Sequence, residues 1–257
     1  MKIGVQIYTL REHIATVAEL DATFEKLAKI GYDGIEVPGV NYGLDYVKQT
    51  AQKHSLLVPA THTHPERILQ DTISVIEEHK SLGAKYIGLP MMGFRYLFSK
   101  EGLQDFIKDY KPVAKKIKDA GLRFMYHNHH VEMERYDNKT IMQHLAEAFS
   151  SEEMGFEIDT YWIQAGGGCP AKYIEKLADR VECVHFKDMR MDFSNKAMDG
   201  TNAKDCPVMT GNLNWDAIIT ACKAANVEWI FVEQDNTHGQ DPFEAVKISY
   251  DNLKGRI

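Results

Sequence analysis

The chain has 257 residues, 44% of them apolar and 26% charged, enough to bury a large core in water. A formal net charge of −7 with no Lys/Arg block argues against a polyanionic partner such as nucleic acid. No apolar run reaches the roughly 18 residues needed to span a bilayer, and Cys169, Cys183, Cys206 and Cys222, without CxxC spacing, read as free thiols of a reducing cytoplasm.

The first residues, Met1-Lys2-Ile3-Gly4-Val5-Gln6-Ile7-Tyr8, have the pattern of a strand, not of a signal peptide. From there a unit repeats: amphipathic helix, small-residue stop, short apolar strand. Gly31, Gly83, Gly121 and Asn226 stand where a helix would end in a left-handed residue. Strands are expected at about 3–8, 34–38, 57–62, 86–90, 123–128, 155–159, 182–186 and 229–233, with helical periodicity between them, as in Ile107, Tyr110, Val113 and Ile117. Such alternation implies right-handed crossovers and a parallel sheet. Eight units in about 250 residues match a (β/α)8 TIM barrel, read as a single domain over 1–257. The main rival, a doubly wound open sheet, would bind ligand near its first strands, and no Gly-rich phosphate loop follows Ile7. The longest non-periodic segment, about 189–213, follows the seventh strand and is expected to shape or cover a substrate.

Four strands in the second half finish on metal-binding or acid–base side chains. Alternation gives these a shared face within each strand: His127 with His129, Glu157 with Asp159, His185 with Lys187, Glu233 with Asp235. Asp159, His185 and Glu233 stand at the carboxyl ends of strands six, seven and eight, which converge on the barrel mouth. Mixed imidazole and carboxylate donors suit Mn²⁺, Co²⁺, Fe²⁺ or Zn²⁺, whereas Mg²⁺ prefers oxygen throughout. A fourth ligand is expected from strand five, where His127, His129 and, just past the strand, Glu132 are available.

Here the chain resembles the xylose isomerase-like sugar isomerase/epimerase superfamily, which includes ketose 3-epimerases, inosose and dehydroshikimate dehydratases, and the more distant endonuclease IV. The resemblance runs from Gly4-Val5-Gln6-Ile7-Tyr8-Thr9-Leu10-Arg11 to Phe231-Val232-Glu233. It is most specific in Tyr126-His127-Asn128-His129-His130-Val131-Glu132 and Val184-His185-Phe186-Lys187-Asp188, with Gly211-Asn212-Leu213-Asn214-Trp215 resembling the start of the family's seventh helix. It implies a divalent metal, Mn²⁺ first, held by Glu, Asp, His and Glu. Asp159, His185 and Glu233 match the last three, while His127 stands where the strand-five Glu is expected. Glu132 is therefore taken as the fourth ligand, with His127 as the alternative. The implied activity is isomerisation or epimerisation of a keto-sugar or polyol through an enediolate, with Glu233 as base, His129 as second acid/base and Lys187 stabilising an oxyanion. Glu36, His62, His64, His127 and Asp188 are candidates for holding substrate hydroxyls.

Each residue also has a structural reading. Glu157 is weighed as a buried partner, His64 as the start of a helix at Pro65, His130 as structural, and Gly166-Gly167-Gly168 as a flexible turn. Met91, Met92 and Trp162 line an apolar subsite or cap the core. His13, His54, His79, His144 and His238 are expected to be solvated. The alternative function is a lyase of the inosose dehydratase type, with His129 as the acid for the leaving group. A repair endonuclease is disfavoured by the acidic charge and by Trp162 where those relatives carry His. A non-catalytic sugar-binding protein is the third reading. The expected partner is a small carbohydrate, without nucleic acid or membrane; a homo-oligomer is allowed.

Overall fold

The computed structural model describes residues 1–194, 196, 198 and 202–257. Eight parallel strands close into a barrel: β1 (Lys2–Gln6), β2 (Gly34–Val37), β3 (Leu57–His62), β4 (Tyr86–Leu89), β5 (Arg123–His127), β6 (Gly155–Asp159), β7 (Cys183–Phe186) and β8 (Trp229–Val232). Every strand follows its predecessor in the barrel, and β8 pairs with β1 from Lys2↔Trp229 to Val5↔Val232. The fold is the (β/α)8 TIM barrel. Helices form the outer ring. Lys100–Asp119, capped by the Ser99 hydroxyl accepting from the Gly102 N–H at 2.9 Å, buries Leu103, Phe106, Tyr110, Val113 and Ile117 at spacings of three and four. The anticipated stops at Gly31, Gly83, Gly121 and Asn226 all have positive φ, between 55° and 118°.

Two apolar layers result. The larger lies between strands and helices. The smaller fills the floor of the lumen with Ala60, Tyr86, Met125, Cys183, Trp229 and Phe231, all buried. Glycine makes room for it: a Cβ on Gly4 would stand 2.6 Å from the Phe231 ring, and one on Gly34 3.0 Å from the Trp229 ring. Inward-facing residues just above this floor are polar. Register places Gln6 opposite Glu36, His127 opposite Glu157, and Asp159 opposite His185. The barrel thus has an apolar base and a titratable upper lumen.

The segment expected to lack regular structure, 189–213, is partly a ribbon. Asp188–Met191 pairs antiparallel with Ala203–Cys206. Residues 195, 197 and 199–201, part of the expected substrate cover, lie outside the described residues. Among the described residues no helix is long and apolar enough to cross a membrane, and Cys169, Cys183, Cys206 and Cys222 are free.

Candidate metal centre

Donor atoms of His127, Asp159, His185 and Glu233 all lie within 4.8 Å of one another, and all four residues are buried. Three of these residues lie within strands and Glu233 directly follows β8, so the backbone hydrogen bonding of the barrel fixes their separation. An ion with ligand bonds of about 2.0–2.2 Å spaces its donors by roughly 3–4.4 Å. The Asp159 Oδ2 atom is 3.9 Å from His127 Nε2, and Glu233 Oε2 is 2.9 Å from His185 Nδ1.

Asp159 is prepared for such a role by its other oxygen. Oδ1 accepts the Trp162 N–H at 2.8 Å and caps the helix Thr160–Ala165, while the Asp159 N–H donates to Asn128 Oδ1 at 3.0 Å. Oδ2 is buried with no hydrogen-bond partner among the described residues. Buried polar atoms normally find partners, and Asp159 Oδ2 has only the Lys187 ammonium near it, at 3.8 Å. The chemistry and spacing of the residues fit a divalent metal.

Electrostatics follow from burial and from one cation. Lys187, 1% exposed, ion-pairs with Asp235, and its Nζ is 3.4 Å from Glu233 Oε2 and 3.8 Å from Asp159 Oδ2. Burial opposes a charge on Lys187, but these carboxylates outweigh it and hold the ammonium protonated. Burial likewise opposes ionisation of Glu233, yet Lys187 and His185 together hold it below the usual carboxylate range. Asp159 is pushed up to about 7 by burial, with Lys187 acting against the rise. His185 sits between Glu36 Oε2 at 2.6 Å and Glu233, and despite burial the carboxylates Glu157, Glu36 and Glu233 raise it well above the ordinary imidazole range. Holding a metal through its Nδ1 would therefore require His185 to give up a proton. His129 is lowered to about 3 by burial and by Lys187, and is neutral at ordinary pH.

Other anticipated residues separate into two sets. His62, His127, His129, Lys187 and Glu233 line a cavity of about 580 Å³ at the mouth, together with Tyr8. His64 is exposed on its rim and starts the helix Pro65–Gln70 without capping it. Glu36 lies deeper, accepting from Gln6 Nε2 at 2.8 Å. Glu132 is not in the donor group. The turn Val131–Met133 drops its carboxylate beneath the loop, where Oε1 accepts the Tyr126 hydroxyl and Oε2 the His129 N–H, each at 2.7 Å. Its oxygens are spent on holding the loop, and His127 is the strand-five residue that stands in the donor group. Asp188 is also corrected: fully buried, it accepts from the N–H groups of Met189 and Gly211 and from Trp215 Nε1, at 2.8–2.9 Å, and anchors the loop after β7. His79, expected in solvent, is 1% exposed.

Glu157 is a buried hydrogen-bond partner, as one reading of the sequence had it, and Asp235 was given no role there. Glu157 Oε2 is 2.8 Å from His62 Nε2, and its Oε1 is 3.4 Å from His185 Nε2. Asp235 pairs with Lys187. Both share strand parity with recognised residues, and that was the available signal. An apolar cavity of about 500 Å³ adjoins the mouth through His64 and His129, walled by Leu69, Met91, Met92 and Phe94.

A closed parallel barrel with buried imidazole and carboxylate donors at the carboxyl ends of its strands defines a class, the (β/α)8 proteins whose lumen can hold a divalent metal. Within that class the chain belongs to the xylose isomerase-like TIM barrel family, whose model matches residues 24–254. Solved structures share the fold. One is a sugar phosphate isomerase/epimerase from Parabacteroides distasonis, with a TM-score of 0.80 and 23% identity over 98% of each chain. Another is the probable 3-DHS dehydratase AsbF from Bacillus anthracis, with a TM-score of 0.77 and 13% identity over 100% of each. A third is D-allulose 3-epimerase from Methylomonas sp. in complex with D-allulose, with a TM-score of 0.72 and 15% identity, covering 100% of this chain and 97% of that one. No curated protein sequence matches the chain.

Proposed function

We propose that this protein is a metal-dependent isomerase or epimerase of a keto-sugar or related polyol, working through an enediolate. The observation that carries the reading is the buried group of His127, Asp159, His185 and Glu233, next to a cavity that His127 and Glu233 line together with His62, His129 and Lys187. Asp159, His185 and Glu233 would hold the ion, with His127 Nε2 facing the same group. Manganese is the first candidate, and Co²⁺, Fe²⁺, Zn²⁺ and Mg²⁺ are the alternatives. When bound, the metal would polarise a substrate carbonyl and lower the cost of negative charge on the adjacent oxygens.

The protein's residues do the rest. Glu233, kept ionised by Lys187 and His185, is the base for the proton next to the carbonyl. Lys187 offers a fixed ammonium to a developing oxyanion; burial and its ion pairs hold it in place. His129, neutral and with Nδ1 unpaired among the described residues, orients a substrate hydroxyl at the cavity wall. His62 and His64 meet the remaining hydroxyls at the cavity wall. Support for a sugar substrate comes from structural relatives described as a sugar phosphate isomerase/epimerase and a D-allulose 3-epimerase. The free cysteines support a cytoplasmic setting.

A lyase is the second reading, favoured by His129 beside His127 and by the dehydratase among the relatives. The depressed basicity of His129 argues against it as the acid that expels a leaving group. Product analysis by NMR across ketoses and inososes, with manganese and with chelator, separates the readings. A rearranged isomer formed only with metal supports the proposal. An unsaturated ketone with loss of water establishes the lyase instead.

A further inference from the structure

Beneath the centre lies a second donor group that shares two residues with it. Donor atoms of His62, His127, Glu157 and His185 lie within 4.8 Å of one another. The shared rings turn opposite nitrogens to the two groups. His185 directs Nδ1 to Glu233 and Nε2 to Glu36 and Glu157. His127 directs Nε2 toward Asp159 and Nδ1 toward Glu157, at 3.9 and 3.8 Å.

Hydrogen bonds alone do not satisfy the inner group. Glu157 Oε2 is 2.8 Å from His62 Nε2, and Glu36 Oε1 is 3.5 Å from the same nitrogen. His127, 3% exposed, leaves Nδ1 without a hydrogen-bond partner among the described residues, and fully buried Glu36 likewise leaves Oε1 without one. Gly88 leaves room for the His62 ring, since a Cβ there would stand 2.8 Å from His62 Cδ2. Two imidazoles and a carboxylate around one point form a donor set typical of zinc and of ferrous iron.

We propose a second divalent-cation site in the lumen, formed by His62 Nε2, His127 Nδ1 and Glu157, with Glu36 Oε1 as a further donor, suited to Zn²⁺, Co²⁺ or Fe²⁺. A neutral imidazole gives its lone pair to one ion only. With both seats filled, His127 serves the inner one, and the outer keeps Asp159, His185 and Glu233. His185 then donates its Nε2–H to Glu36. The inner seat is additional to the one on which the proposed function rests, and each can fail without the other.

The test is anomalous diffraction at the zinc edge from crystals of the full chain loaded with Zn²⁺, paired with metal content per chain in solution. The expected result is two peaks and about two ions per chain. Glu157→Gln and His62→Asn should each lose the inner peak and keep the outer, while Asp159→Asn should do the reverse. Thermal unfolding confirms that each variant folds. If one does not, the other and the wild-type map decide. A single peak at the outer seat, no peak at all, or an inner peak undiminished in both inner-seat variants overturns the proposal. An inner peak alone upholds it while contradicting the outer seat.

Discussion

Glu132 and His127 compete for one role, and the outcome turns on where each spends its polar atoms. Glu132 lies six residues from Tyr126, and a tight turn folds it back onto that hydroxyl. Chain spacing showed a carboxylate near the strand end but not which way the turn sends it. His127 keeps a strand position, so its direction follows from parity alone. Glu132→Gln should therefore leave metal affinity, measured by equilibrium dialysis, within about tenfold of wild type. Asp159→Asn should weaken it by more than the roughly 10–100-fold that losing an outer partner costs. Glu132→Ala should instead destabilise the fold by about 1–3 kcal/mol in urea unfolding, because a buried hydroxyl and an N–H lose their acceptor. Asp188 illustrates the same limit: beside Lys187 in sequence, it points away from the lumen and into its own loop.

At the scale of elements, the strands were legible because each combines an apolar run with a stop residue and a reactive end. Glu36, His62 and Glu157 were harder to assign to one cluster, since β6 meets the paired strands β2 and β3 only across the closed lumen. His79 was misread because it lies on a helix, yet that helix, Thr72–Leu82, packs it against β3. Its Nδ1–H donates to the Val75 carbonyl at 2.7 Å, so its Nε2 accepts the Thr61 hydroxyl at 2.7 Å. Burial lowers its pKa. Above the unfolded value of about 6.5 the ring is neutral in both states. As pH falls through that value the unfolded chain binds a proton that the folded chain refuses. His79 thus costs up to about 1.4 kcal/mol of stability per pH unit on the acid side, until its folded pKa is reached. In urea unfolding at pH 7 and pH 5, His79→Gln should flatten the loss by up to one proton. An unchanged slope would remove His79 from the account. Gly88→Ala, meeting the Thr61 carbonyl at 2.7 Å, should cost about 1–3 kcal/mol and shift the His62 ring.

For the whole molecule, closure of the barrel gathers Glu36, Glu157, Asp159 and Glu233 into one buried lumen, opposed by Lys187 and the histidines. That concentration of carboxylate favours a cation in the lumen, and on the proposed reading an ion that binds only the folded state stabilises it. At metal concentrations near 100 times Kd the gain is about 2.7 kcal/mol, or roughly 5–10 °C in Tm for a chain of this size. Chelation should reverse it, and Asp159→Asn should show a much smaller shift. The family resemblance reached the same lumen from the motifs around His127 and His185, but only the closed barrel shows how its polar layer sits on an apolar floor.

The central claim is that Glu233 removes a proton next to a metal-polarised carbonyl. Its most direct test is deuterium incorporation from D₂O into a converted ketose, followed by NMR with manganese-loaded protein. The account predicts incorporation at the carbon next to the carbonyl in wild type, none with chelator, and none in Glu233→Gln with metal bound. Full exchange in that metal-loaded variant, or turnover without solvent deuterium in wild type, would contradict it.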